Sequence, residues 1–338
     1  MTSLPAPNTV PLRGGPTLRW GVLAPGGIAN QWVGTTHANT DQRVVAVASR
    51  TLSRAEEFAA RHGIDTAYGS YEQLVADPAV QAVYIAAPHS EHRALALLAI
   101  AAGKHVLIEK PIAVSVAEAE EIVTAARAAG VFAMEAMWTR FLPQTSIVEQ
   151  LLARGDLGEV LRVTGDFSAK FDFDPTSRAF DPALGGGALL DLGVYPVWFA
   201  HFVLGAPRSV TATGSLASTG VDAQSALILD YASAAQSVIT TSMILRTPIA
   251  ATISGTAGRI EFPDEFIGPS SFSLTVGEER TEWTEPTGFR WGEGLCYQAV
   301  AVAQHVADGL TESPLHTLDD TLEIMTVLES ARKQLGAL

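Results

Sequence analysis

Short apolar runs and segments with helical spacing alternate through the first 140 residues. We predict strands at Leu18–Leu23, Val44–Ser49, Ala82–Ile85, His105–Ile108 and Phe132–Glu135. We predict helices at Ile28–Ala38, Ser53–His62, Tyr71–Ala76, Ser90–Ala102 and Ser115–Ala129. Strands that alternate with helices in this way form right-handed crossover units. The pattern therefore predicts a parallel sheet whose strands are buried on both faces.

The pattern changes after about Trp138. A predicted helix near Ser146–Arg154 is followed by short runs in which polar and apolar residues alternate, and two helical segments close the chain. The predicted strands are Leu161–Phe167, Val210–Gly214, Ser225–Tyr231, Ser237–Thr241, Thr252–Ser254, Arg259–Phe262 and Phe272–Val276, and the closing helices are Tyr297–Asp308 and Leu318–Leu335. Such alternation is typical of an antiparallel sheet with one face packed and one face open.

The predicted fold class is α/β, with two domains and a tail. Residues 1–17 are rich in Pro, Gly and Thr and are predicted to be a mobile tail. Residues 18–138 form the predicted parallel-sheet domain. Residues 139–338 form the predicted second domain, with a large, open, mostly antiparallel sheet.

Composition excludes several classes of protein. The chain has 338 residues, of which 47% are hydrophobic, and 22 basic against 36 acidic side chains give a formal charge of −14. That balance argues against nucleic acid or an anionic membrane as the main partner. Ala94–Ala102, taken as the longest apolar run, is far short of the roughly 20 residues that span a bilayer. A single cysteine, Cys296, excludes an internal disulfide and is typical of the cytoplasm, which is the predicted location.

The negative charge lies almost entirely in the second half. Residues 1–140 hold 11 basic and 12 acidic side chains, whereas residues 141–338 hold 11 and 24. This asymmetry indicates two units with different partners.

A glycine turn follows the first predicted strand. Within Gly21–Ala29, Gly26 and Ala29 match the second and third positions of the dinucleotide fingerprint G-x-G-x-x-G/A, while Ala24 replaces its first glycine. Gly27 and Ile28 open the predicted helix, whose N-terminus would hold a pyrophosphate. An ordinary turn between strand and helix is the alternative interpretation.

The end of the second predicted strand indicates the cofactor. NAD-binding domains place an acidic residue there, on the ribose 2′-hydroxyl, but this chain has Ser49 and Arg50, with Arg54 one helical turn further on. A guanidinium group can hold a 2′-phosphate through two hydrogen bonds, and a carboxylate would repel it. The residues favour NADP over NAD, although solvated surface arginines are the alternative.

Several motifs in order resemble one enzyme family. They are the glycine turn, Ser49–Ala55 (SRTLSRA), Tyr84–His92 (YIAAPHSEH), Gly103–Pro111 (GKHVLIEKP), Met134–Arg140 (MEAMWTR) and Gly185–Pro196 (GGGALLDLGVYP). The chain resembles the glucose–fructose oxidoreductase/inositol dehydrogenase (Gfo/Idh/MocA) family from Leu18 to Leu335, and within it the branch of trans-1,2-dihydrobenzene-1,2-diol and D-xylose dehydrogenases. The resemblance implies a Rossmann-like N-terminal domain and NAD(P)-linked oxidation of a secondary alcohol. It also implies a homodimer or homotetramer paired through the C-terminal sheet.

The resemblance assigns the catalytic lysine of the Glu-Lys-Pro motif to Lys110. This residue ends a predicted parallel strand at the carboxyl edge of the sheet, where such folds bind their ligands. Glu109 lies beside it, and we expect the bond between Lys110 and Pro111 to be cis. A lysine on the surface beside a proline is the alternative.

The resemblance also places Asp191 and Tyr195 opposite the nicotinamide as catalytic residues. Tyr195 would donate or accept the proton on the substrate oxygen, and Asp191 would hold a neighbouring hydroxyl or orient Lys110. They are four residues apart on a helix predicted to begin near Gly187, so both side chains should share one face. Pro196 argues against a regular helix interior at this point unless the helix kinks. A capping aspartate and a core tyrosine are the alternative.

The remaining candidates come from the same motifs. Expected near the cofactor are Ala87, Pro88, His89, His92, Trp138 and Arg140, and expected near the substrate are Trp138 and Arg178. His92 can instead be a solvated helix residue, and Trp138 a packing residue. No metal is predicted, because neither His89-x-x-His92 nor Asp172-x-Asp174 has a third ligand at a recognisable spacing.

The sequence thus predicts an NADP-dependent oxidoreductase acting on a secondary alcohol of a sugar, polyol or cyclic vicinal diol. Three alternatives stay open at this point. They are an NAD-preferring relative, a non-catalytic NADPH-binding regulatory protein, and a reductase of nucleotide-linked keto sugars.

Overall fold

The structure, a computed structural model, describes residues 3–337, and the chain forms two compact units. The first, called here the parallel-sheet unit, comprises Val10–Phe141 and Gly292–Thr321. The second, the open-sheet unit, comprises Leu142–Trp291 with the chain up to Thr9 and from Leu322 onward. The first unit therefore contains a segment from late in the chain, Gly292–Thr321, which the predicted division at residue 138 assigned to the second domain. Residues 1, 2 and 338, which belong to the predicted tail and second domain, lie outside the described residues.

Six parallel strands form the sheet of the first unit. The elements are β1 (Arg19–Leu23), α1 (Gly27–Asn39), β2 (Arg43–Ala48), α2 (Leu52–His62), β3 (Thr66–Tyr68), α3 (Tyr71–Ala76), β4 (Ala82–Ile85), α4 (His92–Ala101), β5 (His105–Ile108), α5 (Val116–Ala129) and β6 (Ala133–Glu135). Their order is β3-β2-β1-β4-β5-β6, and every pairing is parallel. The predicted parallel sheet is confirmed, and β3 is an additional short strand. The order reverses between β1 and β4, which creates a topological switch point.

Aromatic side chains fill the core beside this switch point. Trp20 on β1, Trp32 on α1 and Tyr84 on β4 are completely buried. The rings of Trp32 and Tyr84 stack with centroids 4.3 Å apart, and Trp20 meets Trp32 edge-on at 5.2 Å. Burying rings of this size supplies much of the free energy that holds α1 against the sheet.

The open-sheet unit contains eight strands. The later elements of the chain are α6 (Pro143–Ala153), β7 (Val160–Ser168), α7 (Val194–Leu204), β8 (Ser209–Leu216), β9 (Asp222–Asp230), β10 (Gln236–Ser242), β11 (Ala251–Gly255), β12 (Gly258–Phe262), β13 (Phe272–Val276), β14 (Glu279–Trp283), α8 (Cys296–Ala307) and α9 (Leu318–Leu335). The strand order is β14-β13-β12-β11-β7-β10-β9-β8, with a parallel pairing at β7 and β10 and antiparallel pairings elsewhere. The predicted open, mostly antiparallel sheet is confirmed, and β14 is an additional edge strand.

The two faces of this sheet differ. On one face α7 packs so closely that a side chain at Gly165 would come within 2.8 Å of Pro196. On the other face Ile228 and Val238, which are cross-strand partners, are 50% and 40% exposed. An apolar pair in solvent at the middle of a wide sheet is unusual for an isolated surface.

The segment predicted to be a mobile tail is held in place over its described residues. The Asn8 amide donates to Ser146 Oγ at 2.9 Å within the open-sheet unit. In the parallel-sheet unit, Arg13 forms an ion pair with Asp41 at 3.1 Å, and the side chain of Gln42 donates to the Pro16 carbonyl at 2.8 Å. Local composition does not reveal these contacts, because the partners come from distant parts of the sequence.

Within the described residues, Pro182–Leu204 is long and apolar enough to cross a membrane when judged by length and composition alone. Of its most apolar window, 78% is buried inside the protein. Asp191 interrupts this segment, so the longest uninterrupted apolar run in the sequence is Ala94–Ala102.

Candidate active site

The turn after β1 has the backbone geometry of a dinucleotide fingerprint even though its first glycine is missing. Ala24 occupies that position with a φ of 63°, in the left-handed region that glycine adopts without strain. Its amide donates to the Ala48 carbonyl at 3.1 Å, which ties the turn to the end of β2. The alanine therefore makes the turn that the fingerprint requires, at the cost of local backbone strain.

The N-terminus of α1 opens to solvent directly after this turn. Gly26 is the N-cap, and Gly26 and Gly27 are both exposed. A Cβ at Gly27 would meet no atom within 4 Å, and a Cβ at Gly26 would meet its first atom only at 3.9 Å. The first turn carries no acidic residue, while Ile28 is half-buried and Ala29 is buried against the sheet. The free space above unpaired helix amides fits a pyrophosphate.

The end of β2 presents two cations. Ser49 is buried and its Oγ accepts the Thr51 amide at 3.4 Å, whereas Arg50 and Arg54 are exposed. Burial raises the pKa of the nearby Tyr71 hydroxyl, and the charges of both arginines act against that shift. Both guanidinium groups thus act on one position beside the carboxyl end of β2, where the fold binds an adenosine ribose.

Lys110 follows β5 at the carboxyl edge of the same sheet. The Lys110–Pro111 bond is cis, which confirms the prediction. The preceding Glu109 is buried, accepts a short hydrogen bond from the Tyr84 hydroxyl, and accepts the Lys110 amide at 3.2 Å. Burial raises the pKa of the Glu109 carboxyl, and the hydrogen bond from Tyr84 and the charge of Lys110 oppose that rise.

His92 is not the solvated helix residue that one interpretation of the sequence allowed. It is fully buried, with Nε2 2.9 Å from the Ala87 carbonyl oxygen and Nδ1 2.9 Å from the Pro111 carbonyl oxygen. Its ring lies 5.7 Å from the ring of His89, which is also buried in the short 3₁₀ turn after Pro88. Burial lowers the pKa of His92. His92 therefore connects the loop after β4 to the loop after β5.

Trp138 and Arg140 lie in a 3₁₀ turn, Trp138–Phe141, and both are buried. The Arg140 Nε donates to the Leu315 carbonyl at 2.7 Å. Arg140 thus connects the segment Gly292–Thr321 of the parallel-sheet unit to the turn after β6.

In the open-sheet unit, three glycines lead into the segment that carries Asp191. Gly185 and Gly187 have φ values of 76° and 120°, and a Cβ at Gly186 would lie 2.8 Å from the Ala179 carbonyl oxygen. A Cβ at Gly187 would collide with Asp222 Oδ1. The glycines therefore allow a close approach that no other residue permits.

The helix after these glycines begins with a wide turn. Leu189–Gly193 is a π-helical segment that continues directly into α7, so Asp191 lies in the π segment and Tyr195 in the first turn of α7. Proline clashes with the carbonyl four residues earlier in a regular helix, and a π-turn before Pro196 removes that conflict. The predicted regular helix near Gly187 is thus replaced by this segment.

The structure brings two of the predicted residues into contact. Arg178, on the loop after β7, forms an ion pair with Asp191 at 3.1 Å. The Asp191 side chain is only 8% exposed, whereas that of Arg178 is 54% exposed. Tyr195 is also buried, and its ring lies 5.6 Å from that of Phe167. Asp191 and Tyr195 are thus fixed side chains, and Arg178 reaches Asp191 from solvent.

Sequence reasoning missed Asp222, which caps this segment. Its Oδ2 accepts the Leu189 amide at 2.6 Å, and the carboxyl group is buried. Burial raises its pKa to about 6, against a usual value of 3.8, although the Leu189 amide and the charge of Arg332 act in the opposite direction. The sequence signal for this contact is the Gly-Gly-Gly motif, since three successive glycines indicate that another group lies close to the backbone.

The sheet order, the glycine turn and the open helix N-terminus define a Rossmann-fold protein that binds a nicotinamide dinucleotide. A family model described as "Oxidoreductase family, NAD-binding Rossmann fold" matches residues 18–137, and the GFO/IDH/MocA C-terminal domain matches residues 146–261. The chain belongs to the Gfo/Idh/MocA family of oxidoreductases, as its motifs predicted.

Similar proteins agree with this assignment. The trans-1,2-dihydrobenzene-1,2-diol dehydrogenase of Mus musculus is 39% identical over 328 residues, covering 94% of this chain and 97% of the relative. A crystal structure of an NAD-binding oxidoreductase from Klebsiella pneumoniae is 26% identical with a TM-score of 0.85, covering 94% and 96% of the two chains. A 3-ketoreductase from Actinomadura kijaniata, in complex with NADP and TDP-benzene, is 26% identical with a TM-score of 0.81 and covers 94% and 97%.

Proposed function

We propose that this protein is an NADP-dependent dehydrogenase of a secondary alcohol in a sugar, polyol or cyclic vicinal diol. The observation that carries the proposal is the placement of two features in one unit. The glycine turn after β1 and Lys110 after β5 both lie at the carboxyl edge of one parallel sheet. Ligands of doubly wound sheets bind at this edge.

Three groups of residues hold the cofactor in this proposal. The backbone from Ala24 to Gly27 and the N-terminus of α1 bind the pyrophosphate through amide donors. Arg50 and Arg54 bind the 2′-phosphate. Both are exposed, and β2 ends without the acidic residue that would bind a ribose 2′-hydroxyl. When bound there, NADP would supply the hydride acceptor for oxidation of the carbon that carries the reacting hydroxyl.

Lys110 accepts the proton of the reacting hydroxyl at its Nζ in this proposal. General-base catalysis requires a proton acceptor within reach of the hydroxyl, and Lys110 provides an amine at the edge of the sheet where such folds bind their cofactor. The buried carboxyl group of Glu109, which accepts the Lys110 amide at 3.2 Å, lies directly beside this lysine. In the reverse direction Lys110 returns the proton to a ketone.

Asp191, Tyr195 and Arg178 bind the substrate in this proposal. The buried Asp191 carboxylate accepts a hydrogen bond from a neighbouring hydroxyl, and Tyr195 orients the reacting oxygen. Arg178, which is half-exposed and paired with Asp191, adjusts its position when substrate arrives. A vicinal diol or sugar supplies two adjacent hydroxyls, which matches a site of this chemistry, and the mouse relative's name supports a diol.

We also propose that two copies pair through the exposed face of the eight-stranded sheet. Ile228 and Val238 would be covered by the partner, and dimers or tetramers are the expected states. Light scattering of the wild type and of a double variant, Ile228→Lys with Val238→Glu, separates paired from single chains.

A substrate panel tests the proposed function. Purified protein is mixed with NADP or NAD and with D-xylose, glucose, inositols or trans-1,2-dihydrobenzene-1,2-diol, and reduced nicotinamide is followed at its absorbance. Turnover of at least one compound with NADP supports the proposal. NADPH binding without any turnover would favour a regulatory protein of the same fold, and turnover with NAD alone would overturn the cofactor assignment.

A further inference from the structure

The turn that carries Lys110 is held from both sides by buried side chains of other elements. The Ile112 amide donates to Glu135 Oε1 at 2.9 Å, and the Pro111 carbonyl lies 2.9 Å from His92 Nδ1. Glu135 ends β6 and His92 begins α4, so the two contacts come from opposite neighbours of the β5 end. The turn does not depend on its own residues alone.

Glu135 is itself fixed by polar partners. Its Oε2 lies 3.1 Å from His316 Nε2 and accepts the Thr321 hydroxyl at 3.2 Å. Glu135 and His316 are only 1% and 3% exposed. A carboxylate in such a place is costly unless it is fully hydrogen-bonded, and these partners provide that. The buried group is thus kept where it accepts the Ile112 amide.

These contacts have a consequence for Lys110. A lysine has a flexible four-carbon stem, so the position of its Nζ depends strongly on where its backbone points. Catalytic groups must be held to within about 0.5 Å, and a misplacement of about 1 Å costs on the order of 100-fold in rate. The turn that carries Lys110 lies between β5 and α5, outside the regular hydrogen bonding of a strand or a helix. Contacts from other elements therefore contribute to this accuracy.

We propose that Glu135, held by His316 and Thr321, is a positioning residue that together with His92 fixes the backbone turn carrying Lys110. The proposal rests on the proposed function, because it assigns Glu135 a role in presenting the proton-transferring lysine. Glu135 acts on the backbone of Ile112 and does not contact substrate.

Two substitutions at Glu135 separate the hydrogen bond from the charge. Glu135→Gln keeps an oxygen that accepts the Ile112 amide, and Glu135→Ala removes it. His105→Ala is the matched control, because His105 Nδ1 also accepts a backbone amide, that of Phe132 at 3.0 Å, but at the opposite end of β5. The probes are NADP with the panel compound that turns over fastest, starting from trans-1,2-dihydrobenzene-1,2-diol.

We expect Glu135→Ala to lower kcat about 100-fold with KM changed less than about threefold. Glu135→Gln should recover kcat to within about tenfold of the wild type, and His105→Ala should stay within about threefold. If Glu135→Ala does not fold, Glu135→Asp takes its place, because the shorter side chain withdraws the acceptor oxygen from the Ile112 amide, and a fall in kcat at unchanged KM then supports positioning. Equal kcat values in all variants, or an equal loss in His105→Ala, would overturn the proposal.

A second measurement does not depend on turnover. Hydrogen exchange at the Ile112 amide and the rate at which acetic anhydride acylates Lys110 are compared in the same variants. We expect exchange at Ile112 to be at least about tenfold faster in Glu135→Ala than in His105→Ala, with a changed acylation rate at Lys110. If both rates match the wild type, Glu135 does not position the turn, whether or not the protein oxidises any compound in the panel.

Discussion

The two units use a buried carboxylate for the same purpose but in different surroundings. In the parallel-sheet unit, Glu135 accepts the amide of Ile112, two residues after Lys110, and contacts His316 and Thr321. In the open-sheet unit, Asp222 accepts a backbone amide two residues before Asp191, and burial dominates its pKa. The comparison shows that a site segment can be anchored by a fully satisfied carboxylate or by one that costs free energy when it is ionised.

The units also differ in how they treat ligand charge. The parallel-sheet unit offers open helix amides and two exposed arginines, which suit an anionic dinucleotide. The open-sheet unit buries Asp191 and balances it with Arg178, which suits a neutral polyhydroxy compound.

Removing the amine of Lys110 should have the largest effect. We expect Lys110→Met to lower kcat by at least about 10³-fold, because general acid–base groups contribute about 10²–10⁴ in rate. The NADPH dissociation constant should change less than about threefold, because the proposed pyrophosphate site is the turn at Gly26. Steady-state kinetics and fluorescence titration measure the two quantities.

Lys104→Met is the control for that substitution. Lys104 lies before the amino end of β5, and its Nζ donates to the Asp77 and Val80 carbonyls at 2.8 and 2.7 Å. This variant should keep its kcat within about threefold. A Lys110→Met protein that turns over at the rate of Lys104→Met would exclude Lys110 as the proton-transferring residue.

Asp222 should make the open-sheet unit less stable as the pH rises. Its folded pKa of about 6 lies above the usual 3.8, so the folded protein binds the proton more tightly than the unfolded chain does. The free energy of unfolding should therefore fall by about 3 kcal/mol from this group as the pH rises from below 4 to above 6. Asp222→Asn, which has no charge to bury, should lack that fall.

Urea unfolding at pH 4 and pH 7.5, followed by tryptophan fluorescence, compares the two proteins. Asp230→Asn is the matched control, because Asp230 ends the same strand and its side chain is 42% exposed. The argument fails if wild type and Asp222→Asn lose the same free energy of unfolding between these two pH values.

The parallel-sheet unit could be predicted closely from the sequence. The predicted bounds of Tyr71–Ala76, Ala82–Ile85 and His105–Ile108 are those of the structure. Such elements can be predicted from local sequence, because the apolar run or the helical spacing lies within a short stretch of consecutive residues. β3, with three half-buried residues, gave no such signal.

The anchoring contacts could not be predicted, because they join distant residues. Glu135 and His316 are 181 positions apart, and Leu189 and Asp222 are 33 apart. Similarly, Pro196 packs against Gly165 from 31 positions earlier in the chain, which no local pattern contains. The motifs therefore predicted candidate residues such as Lys110 and Asp191. The buried side chains that bind the backbone beside them, Glu135 and Asp222, became evident only from tertiary contacts.

Arg50 should distinguish the two dinucleotides. We expect Arg50→Ala to weaken NADP binding by about 10- to 100-fold, because charge-assisted hydrogen bonds to a phosphate contribute about 1.5–3 kcal/mol. NAD, which lacks the 2′-phosphate, should bind within about twofold of the wild type. Titration of both nucleotides into the variant measures the difference. Arg61→Ala, at the far end of α2, is the control, and a uniform loss of NADP and NAD affinity would contradict the assignment.

Ala24 should give the smallest effect, and one of unusual sign. Its left-handed φ costs a residue with a side chain about 1–2 kcal/mol, whereas glycine makes the unfolded chain more flexible by about 0.4–1 kcal/mol. Ala24→Gly should therefore raise the free energy of unfolding by up to about 1 kcal/mol. Ala102→Gly, at an exposed alanine with a φ of −84°, should lower it.

Thermal unfolding of both variants, with and without NADPH, checks these opposite signs. If Ala24→Gly is stabilised equally in the presence and absence of NADPH, the strain is a property of the turn and the alanine serves in place of the fingerprint glycine. If it is destabilised like Ala102→Gly, the strain assigned to Ala24 is absent.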